Sequence, residues 1–127
     1  MAVGLSAAAA NAILDAHHDT NYPWIQLHTA DPGAAGTTAV AGNATRKNTG
    51  AAWAPAAGGS KATDVDIDWS DAEVDTAEDY THCSFWTASS AGTFGGSGTI
   101  TANAVSATGD AFSILAGGLV SSFNTAA

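Results

Sequence analysis

The sequence predicts a mostly β protein: an antiparallel β-sandwich or barrel of about seven short strands with one short N-terminal helix. Two features lead to this prediction. Short segments in which apolar and polar residues alternate recur along the chain, and a period of two is typical of strands with one buried face. Clusters of Gly, Pro, Asn and Asp separate these segments, and such residues favour turns. The 127 residues have the length of one domain.

The N-terminal segment contains the best helix candidate. Ser6 can cap a helix over about residues 7–16, where a run of alanines favours helical structure. The stretch from Thr20 to Pro23 ends it. Because so short a helix is marginal in water, it must dock on its own sheet or on a neighbouring molecule. We therefore divide the chain into an N-terminal helix and arm, residues 1–23, and a single β-sandwich domain, residues 24–127.

The first strand is predicted at residues 24–29, where Ile25 and Leu27 share one face. The turn Asp31-Pro32-Gly33 follows, because Pro fixes φ and Gly tolerates positive φ. Residues 33–44 are small and show no period. They are predicted to form a surface loop or an arm.

The clearest alternation lies at residues 63–70, and a further core strand is predicted at residues 80–87. Shorter strands are predicted at residues 45–53, 99–101, 111–115 and 119–123, with a hairpin around Phe94. The apolar faces of the alternating segments predict six core side chains. These are Ile25, Leu27, Val65, Ile67, Trp69 and Phe85.

The chain is strongly acidic. Twelve Asp and Glu residues oppose three Lys and Arg residues, which gives a formal net charge of −9. Binding to nucleic acid or to an anionic membrane surface requires clustered basic side chains, so we expect neither partner. No stretch approaches the roughly 20 apolar residues of a membrane span.

The cysteine and the N-terminal composition indicate where the chain is assembled. Cys83 is the single cysteine, which excludes an internal disulfide and fits a reducing cytoplasm. Residues 1–16 lack the positive charge and the strongly apolar core of a signal peptide. We therefore expect assembly in a host cytoplasm.

Eight of the twelve acidic residues lie at positions 64–79. Asp64, Asp66 and Asp68 are the candidate metal ligands of this segment, because alternation places them on one strand face about 6.5–7 Å apart. Their spacing is similar to that of a calcium loop, but Trp69 stands where such a loop requires Gly. Three readings remain: a solvated face that protects an edge strand, a cation site, and a surface for a basic partner. We favour the solvated face and expect no metal site.

Enzymatic chemistry has little support in the sequence. Cys83 lies inside a predicted strand, no Gly-x-Ser-x-Gly elbow occurs, and the Gly-rich stretch 95–98 lacks the Lys of a phosphate loop. The four histidines offer no zinc spacing, although His28 and His82 can meet across neighbouring strands. We expect no catalytic residue, no cofactor and no enzymatic activity. The four Trp are expected in the core or at an interface, and contact with a sugar is the alternative.

Three stretches carry a family resemblance. They are Trp24-Ile25-Gln26-Leu27-His28-Thr29-Ala30-Asp31-Pro32-Gly33 with Arg46, then Tyr80-Thr81-His82-Cys83-Ser84-Phe85-Trp86, and then Gly92-Thr93-Phe94-Gly95-Gly96-Ser97-Gly98 with the Gly109-Asp110 turn. Over roughly residues 22–120 the chain resembles short virion structural proteins of tailed bacteriophages that infect actinobacteria. The resemblance implies a virion component of the head or the tail, and it supplies no catalytic residues.

The resemblance implies assembly rather than chemistry. We predict a capsid decoration or minor capsid protein that binds and stabilises the head shell. The alternative is a minor tail protein, with a carbohydrate-binding face directed at the host surface. The expected partners are the major capsid protein or tail subunits, and further copies of the chain in a homo-oligomer, for which a trimer is favoured. Residues 1–23 and the loop 31–44 are expected to contact other subunits, because they have few large side chains to hold them in place.

Overall fold

The computed structural model describes residues 4–42, 45–74, 77–105 and 110–126. Within these residues the chain is mostly β, with antiparallel strand pairs in a small sandwich-like fold, and the predicted fold class is confirmed. The helical segments are α1 (Ala7–Asp15), a π-helical segment (Ala16–Asn21) and a 3₁₀ turn (Asp71–Glu73). The strands are β1 (Trp24–His28), β2 (Lys47–Asn48), β3 (Ser60–Ala62), β4 (Ile67–Trp69), β5 (Glu78–Trp86), β6 (Phe94–Val105), β7 (Phe112–Ile114) and β8 (Val120–Ser122).

Three groups of strands form the β structure. The main sheet has the order β2-β1-β5-β6, while β3 pairs with β8 and β4 pairs with β7. The register of β1 on β5 places Ile25 opposite Phe85 and Leu27 opposite Cys83. Because alternate side chains of a strand share a face, these four apolar side chains face the same side of the sheet.

Five of the six predicted core side chains are buried: Ile25, Leu27, Ile67, Trp69 and Phe85. The prediction for Val65 is wrong, because its side chain is 53% exposed. Pairing of β4 with β7 begins only at Ile67, so Val65 precedes the strand and the alternation of buried and exposed residues does not extend to it. Apolar spacing alone does not show where a ladder of hydrogen bonds begins.

The opposite face of the main sheet is covered as well. Gln26 and His28 of β1, and Ser84 and Trp86 of β5, are buried although they point away from Ile25 and Phe85. The loop after β1 provides part of the cover, since residues 29 and 41 form backbone hydrogen bonds of 3.0 Å with Ala39 and Leu27 respectively. The described part of the loop 31–44 thus packs on its own chain, and residues 43–44 lie outside the described residues.

Gly36 explains how a loop of small residues is held. A Cβ atom at this position would lie 2.3 Å from Cδ2 of Phe94, so the aromatic ring packs directly on the glycine backbone. The φ of Gly36 is +71°, a conformation that favours glycine. The anchor is therefore a large side chain from β6 rather than one within the loop.

The helix α1 also docks on its own chain. The hydroxyl of Ser6 accepts a hydrogen bond of 3.1 Å from the backbone N–H of Ala9, which confirms the predicted cap. Ala10 and Leu14 are buried, and the helix packs against β3 and β8. Leu5, just before the cap, forms a parallel bridge with Thr125. Of the two docking alternatives, the described structure shows the helix on its own sheet.

Candidate functional site

The three candidate metal ligands do not converge in the structure. Asp64, Asp66 and Asp68 are all exposed. Asp66 accepts a hydrogen bond of 2.7 Å from the backbone N–H of Ala116, and Asp68 accepts one from the hydroxyl of Ser113. Among the described residues no group of three or more His, Cys, Asp or Glu side chains could hold a metal ion. Two of the three carboxylates instead connect the segment around β4 with the segment around β7.

The later part of the acidic segment also bonds within the chain. Nζ of Lys47 lies 2.6 Å from Oε1 of Glu73, and the hydrogen bond from Lys47 holds the pKa of Glu73 below its ordinary value. Glu78 accepts a hydrogen bond of 2.9 Å from the backbone N–H of Gly42. Asp71 and Asp79 are exposed. Asp75 lies outside the described residues, as does Gly109 of the turn that carried part of the resemblance.

A buried lysine is the main feature that sequence reasoning missed. Lys61 is 1% exposed, and its Nζ donates to Asp15 Oδ1 at 2.7 Å, to Asp19 Oδ2 at 3.2 Å and to the carbonyl of Ala54 at 2.9 Å. Its three donors are thereby satisfied. The hydrogen bond from Lys61 lowers the pKa of Asp15. The available signal was the spacing of Asp15 and Asp19, which are four residues apart and so share one helix face.

A second buried polar cluster lies on the opposite, covered face of the main sheet, away from Ile25 and Phe85. His28 Nδ1 is 2.8 Å from the carbonyl of Thr38, so this nitrogen must donate. Its Nε2 then accepts from the hydroxyl of Ser84 at 2.7 Å, and the indole N–H of Trp86 donates to the same hydroxyl oxygen at 2.7 Å. Burial lowers the pKa of His28, which favours this neutral form. The predicted meeting of His28 with His82 is confirmed, since the two are register partners.

A histidine that accepts from a serine hydroxyl is also the arrangement of an activated nucleophile. Here His28 and Ser84 are both 0% exposed. No substrate can reach the hydroxyl oxygen in this state. The cluster thus satisfies buried polar groups on a covered sheet face.

Arg46 completes the cover of this face. Its guanidinium carbon lies 4.2 Å from the centre of the Trp86 ring, a cation–π distance. The same side chain donates to Oε1 of Gln26 at 3.1 Å and to the carbonyls of Ala88 and Ala91 at 3.0 and 2.8 Å. Arg46 therefore ties the β5–β6 turn to the sheet.

The aromatic residues are mostly interior. Trp53, Trp69 and Trp86 are buried and Trp24 is half-buried. None of the four is an exposed residue, as a ring that stacks on a sugar would be. Cys83 is buried, and burial raises the pKa of its thiol to about 12, as expected for a small core residue.

An uncharged cleft separates β6 from β8, and we name it the β6–β8 seam. It consists of two adjoining cavities of about 180 and 240 Å³, both lined by His18, Phe85, Ser97 and Ser121. Stretches 97–99 of β6 and 119–121 at β8 form its walls, and its lining contains no Asp, Glu, Lys or Arg.

Exposed apolar side chains collect around this seam. Six large apolar side chains are exposed in the described chain: Ile13, Val40, Val65, Leu115, Val120 and Phe123. Ile13, Val120 and Phe123 line the seam. An accumulation of exposed apolar groups on a small protein is typical of an interaction surface.

His18 lies at the bottom of the seam. Its ring stacks on Trp53 with centroids 4.1 Å apart and meets Phe85 edge-on at 5.0 Å. The side chain is buried, and its Nδ1 has no hydrogen-bond partner. Burial, followed by the nearby His17 and Lys61, lowers the pKa of His18 to about 4.

Comparison with known proteins identifies one family. The family model described as "Podophage GP4 fiber I protein gp80" matches residues 4–122, nearly the whole chain. No curated protein matches this chain. Within the described residues, no helix has the length and apolar character needed to cross a membrane.

Proposed function

We propose a role in virion architecture from the premise that this chain belongs to the podophage GP4 fiber I protein family, whose model matches residues 4–122. Membership makes the chain a phage structural protein. We propose further that it is a subunit of a tail-side appendage, which was the alternative in the sequence analysis. The word fiber in the description of the family supports this choice. That the host is an actinobacterium stays a prediction of the resemblance.

The arrangement of polar groups supports a structural role. The best-organised polar side chains, around Lys61 and around His28, are buried and satisfied by partners within the chain. Groups arranged in this way stabilise one fold and offer nothing to a substrate. The surfaces left for function are the uncharged seam and the exposed carboxylates, and both suit contacts with other subunits.

A capsid decoration or minor capsid protein is the second candidate. The resemblance of residues 24–33, 80–86 and 92–98 to head and tail proteins alike supports it. In that role the exposed carboxylates, Asp64 and Asp71 among them, would face basic side chains of the major capsid protein. In either location we propose a homo-oligomer, with a trimer favoured. A sugar-binding face would need an exposed aromatic ring, and Trp24 is the least buried of the four Trp.

Location and copy number separate the two candidates. Virions of the encoding phage would be labelled with gold-conjugated antibody against this chain, and the copy number measured by quantitative mass spectrometry. We expect label at the tail and a copy number that is a small multiple of the tail symmetry. If the label is spread over the head and the copy number is close to the number of capsid subunits, the chain is a capsid decoration protein instead.

A further inference from the structure

The outer edge of β8 is set up to pair with another strand. The N–H of Thr63 donates to the carbonyl of Leu119 at 3.1 Å, and the N–H of Phe123 donates to the carbonyl of Gly59 at 2.9 Å. In an antiparallel pair the hydrogen-bonded residues alternate, so residues 119, 121 and 123 point their backbone groups toward β3. The N–H and C=O groups of Val120 and Ser122 therefore point the other way. No further strand of the described chain pairs with this edge of β8.

The same edge already forms a pair a few residues later. The N–H of Ala126 donates to the carbonyl of Leu5 at 2.8 Å, and Leu5 bridges Thr125 in parallel. Backbone groups on this edge are thus positioned to bond an extended segment. Val120, one of the two residues with outward backbone groups, also lines the β6–β8 seam.

The edge lacks the usual protection against association. Natural edge strands are commonly protected by Lys, Pro or an inward charge. The stretch 119–123 reads Leu-Val-Ser-Ser-Phe and has none of these. The side chains of Val120 and Phe123 are 66% and 43% exposed. Apolar contact and backbone pairing are therefore available at the same place.

The distribution of charge allows two copies of the chain to meet at the seam rather than elsewhere. Each copy has a formal net charge of −9, so two copies repel one another over most of their surfaces. The seam has no charged lining residue, and contact there brings no carboxylates together.

We propose that an extended segment of a second copy of this chain pairs with the outer edge of β8 and fills the β6–β8 seam. This is strand addition, in which main-chain hydrogen bonds provide affinity and side-chain pockets provide specificity. The inference rests on the proposed homo-oligomer and identifies its surface. It does not depend on whether the protein is at the tail or the head.

Two substitutions test the edge without disturbing β3. Ser122→Pro removes one outward N–H while the bonds of residues 121 and 123 to β3 remain. Val120→Lys places a charge on the edge at a side chain that is already exposed. Leu115→Lys is the matched control, because Leu115 is 64% exposed and lies outside β8. Light scattering over a range of concentrations gives the oligomeric state, and hydrogen exchange of the peptide spanning residues 118–124 reports on the edge.

The unsubstituted chain should be an oligomer in which the amides of residues 118–124 become protected as the concentration rises. Ser122→Pro and Val120→Lys should each weaken association by about tenfold or more, while Leu115→Lys should not. If both variants associate normally, or if these amides are already fully protected in the monomer, the outer edge of β8 is not the contact surface. Either result would leave the proposed homo-oligomer unaffected. A chain that stays monomeric at every concentration would overturn both, while the virion location is tested separately.

Discussion

Asp15 and Lys61 are 46 residues apart in sequence, yet Oδ1 of the first lies 2.7 Å from Nζ of the second. The contact fastens the N-terminal helix to β3 through an ammonium group that solvent does not reach. A buried charge is tolerated only when it is paired. The helix is thus held by its carboxylates as well as by Ala10 and Leu14.

The first prediction concerns this ion cluster. Replacing Asp15 and Asp19 together by Ala should lower the melting temperature more than Lys61→Met does. The double variant leaves a buried ammonium group without either counter-ion, whereas the single variant leaves carboxylates that water can reach. Asp64→Ala with Asp79→Ala is the control, because it removes the same charge from exposed positions. Thermal denaturation of the parent chain and the three variants measures this. Cluster variants that melt no lower than the control would show that the cluster adds no stability.

Deletion of residues 1–20 is the second prediction. If residues 1–23 served only to contact other subunits, as expected from the sequence, the truncated chain would stay folded and lose those contacts. Because the deletion removes Leu14 and His18 from the interior and both carboxylates from Lys61, we now expect a chain that is destabilised or unfolded. Circular dichroism and a melting curve measure this. If the truncated chain has the same melting temperature as the untruncated chain, residues 1–23 do not stabilise the fold and are an arm.

The third prediction concerns pH. The pKa of His18 falls from 6.5 to about 4 in the folded chain, so below pH 6.5 the unfolded state binds the proton first. The folded chain should keep its full stability above pH 6.5, and its free energy of unfolding should fall by roughly 3 kcal/mol as the pH drops to about 4. His28, whose pKa burial also lowers, adds to the loss below pH 6.5. Asp15, whose folded pKa is also lowered, adds a further loss only below its ordinary value of 3.8.

His18→Phe keeps an aromatic ring beside Trp53 and removes the titrating group. Denaturant unfolding of both proteins between pH 4 and pH 8 should show a flatter pH dependence for the variant. If the free energy of unfolding depends on pH equally in both proteins, a group other than His18 causes the dependence.

The fourth prediction tests the core. Phe85→Ala should cost roughly 3–5 kcal/mol, because the ring is 7% exposed and contacts His18 and Trp53. Leu115→Ala, at an exposed position, should change stability by less than about 0.5 kcal/mol. Urea unfolding gives both values. A loss below about 1 kcal/mol for Phe85→Ala would mean that Phe85 is not buried.

The fifth prediction concerns calcium. If Asp64, Asp66 and Asp68 form only a solvated face, added calcium or a chelator should leave the melting temperature unchanged. A site filled at 100 times its dissociation constant would add about 2.7 kcal/mol. Asp66→Asn with Asp68→Asn gives the control for any rise observed. A rise that this pair of substitutions abolishes would establish a cation site.

The predictable part of the fold came from local patterns. The alternation of β1 and β5 and the cap at Ser6 each depend on neighbouring residues, and the structure confirms them. Contacts between distant segments were not predictable in this way. The packing of Phe94 on Gly36 and the bonds of Lys61 to Asp15 join positions that no period relates.

The seam illustrates the same limit for the candidate site. Each of its walls looks ordinary in sequence, since stretches 97–99 and 119–121 are short and uncharged. What makes them notable is that two strand edges face each other across a gap, which depends on the order of strands in space. The exposed Val65 was mispredicted for a related reason, because the start of β4 is set by its partner β7.

The covering of both faces of β1 limits how far its sequence can change. In a strand with one wet face, every second position accepts many residues, because water replaces whatever contact is lost. At β1 only Trp24 is partly exposed, and the next four positions are buried by core side chains on one face and by polar partners on the other. Random mutagenesis scored by folding of the single chain should therefore find residues 25–28 intolerant as a block rather than at alternate positions. By the same measure β8, with two of three residues exposed, should accept a broad range of residues.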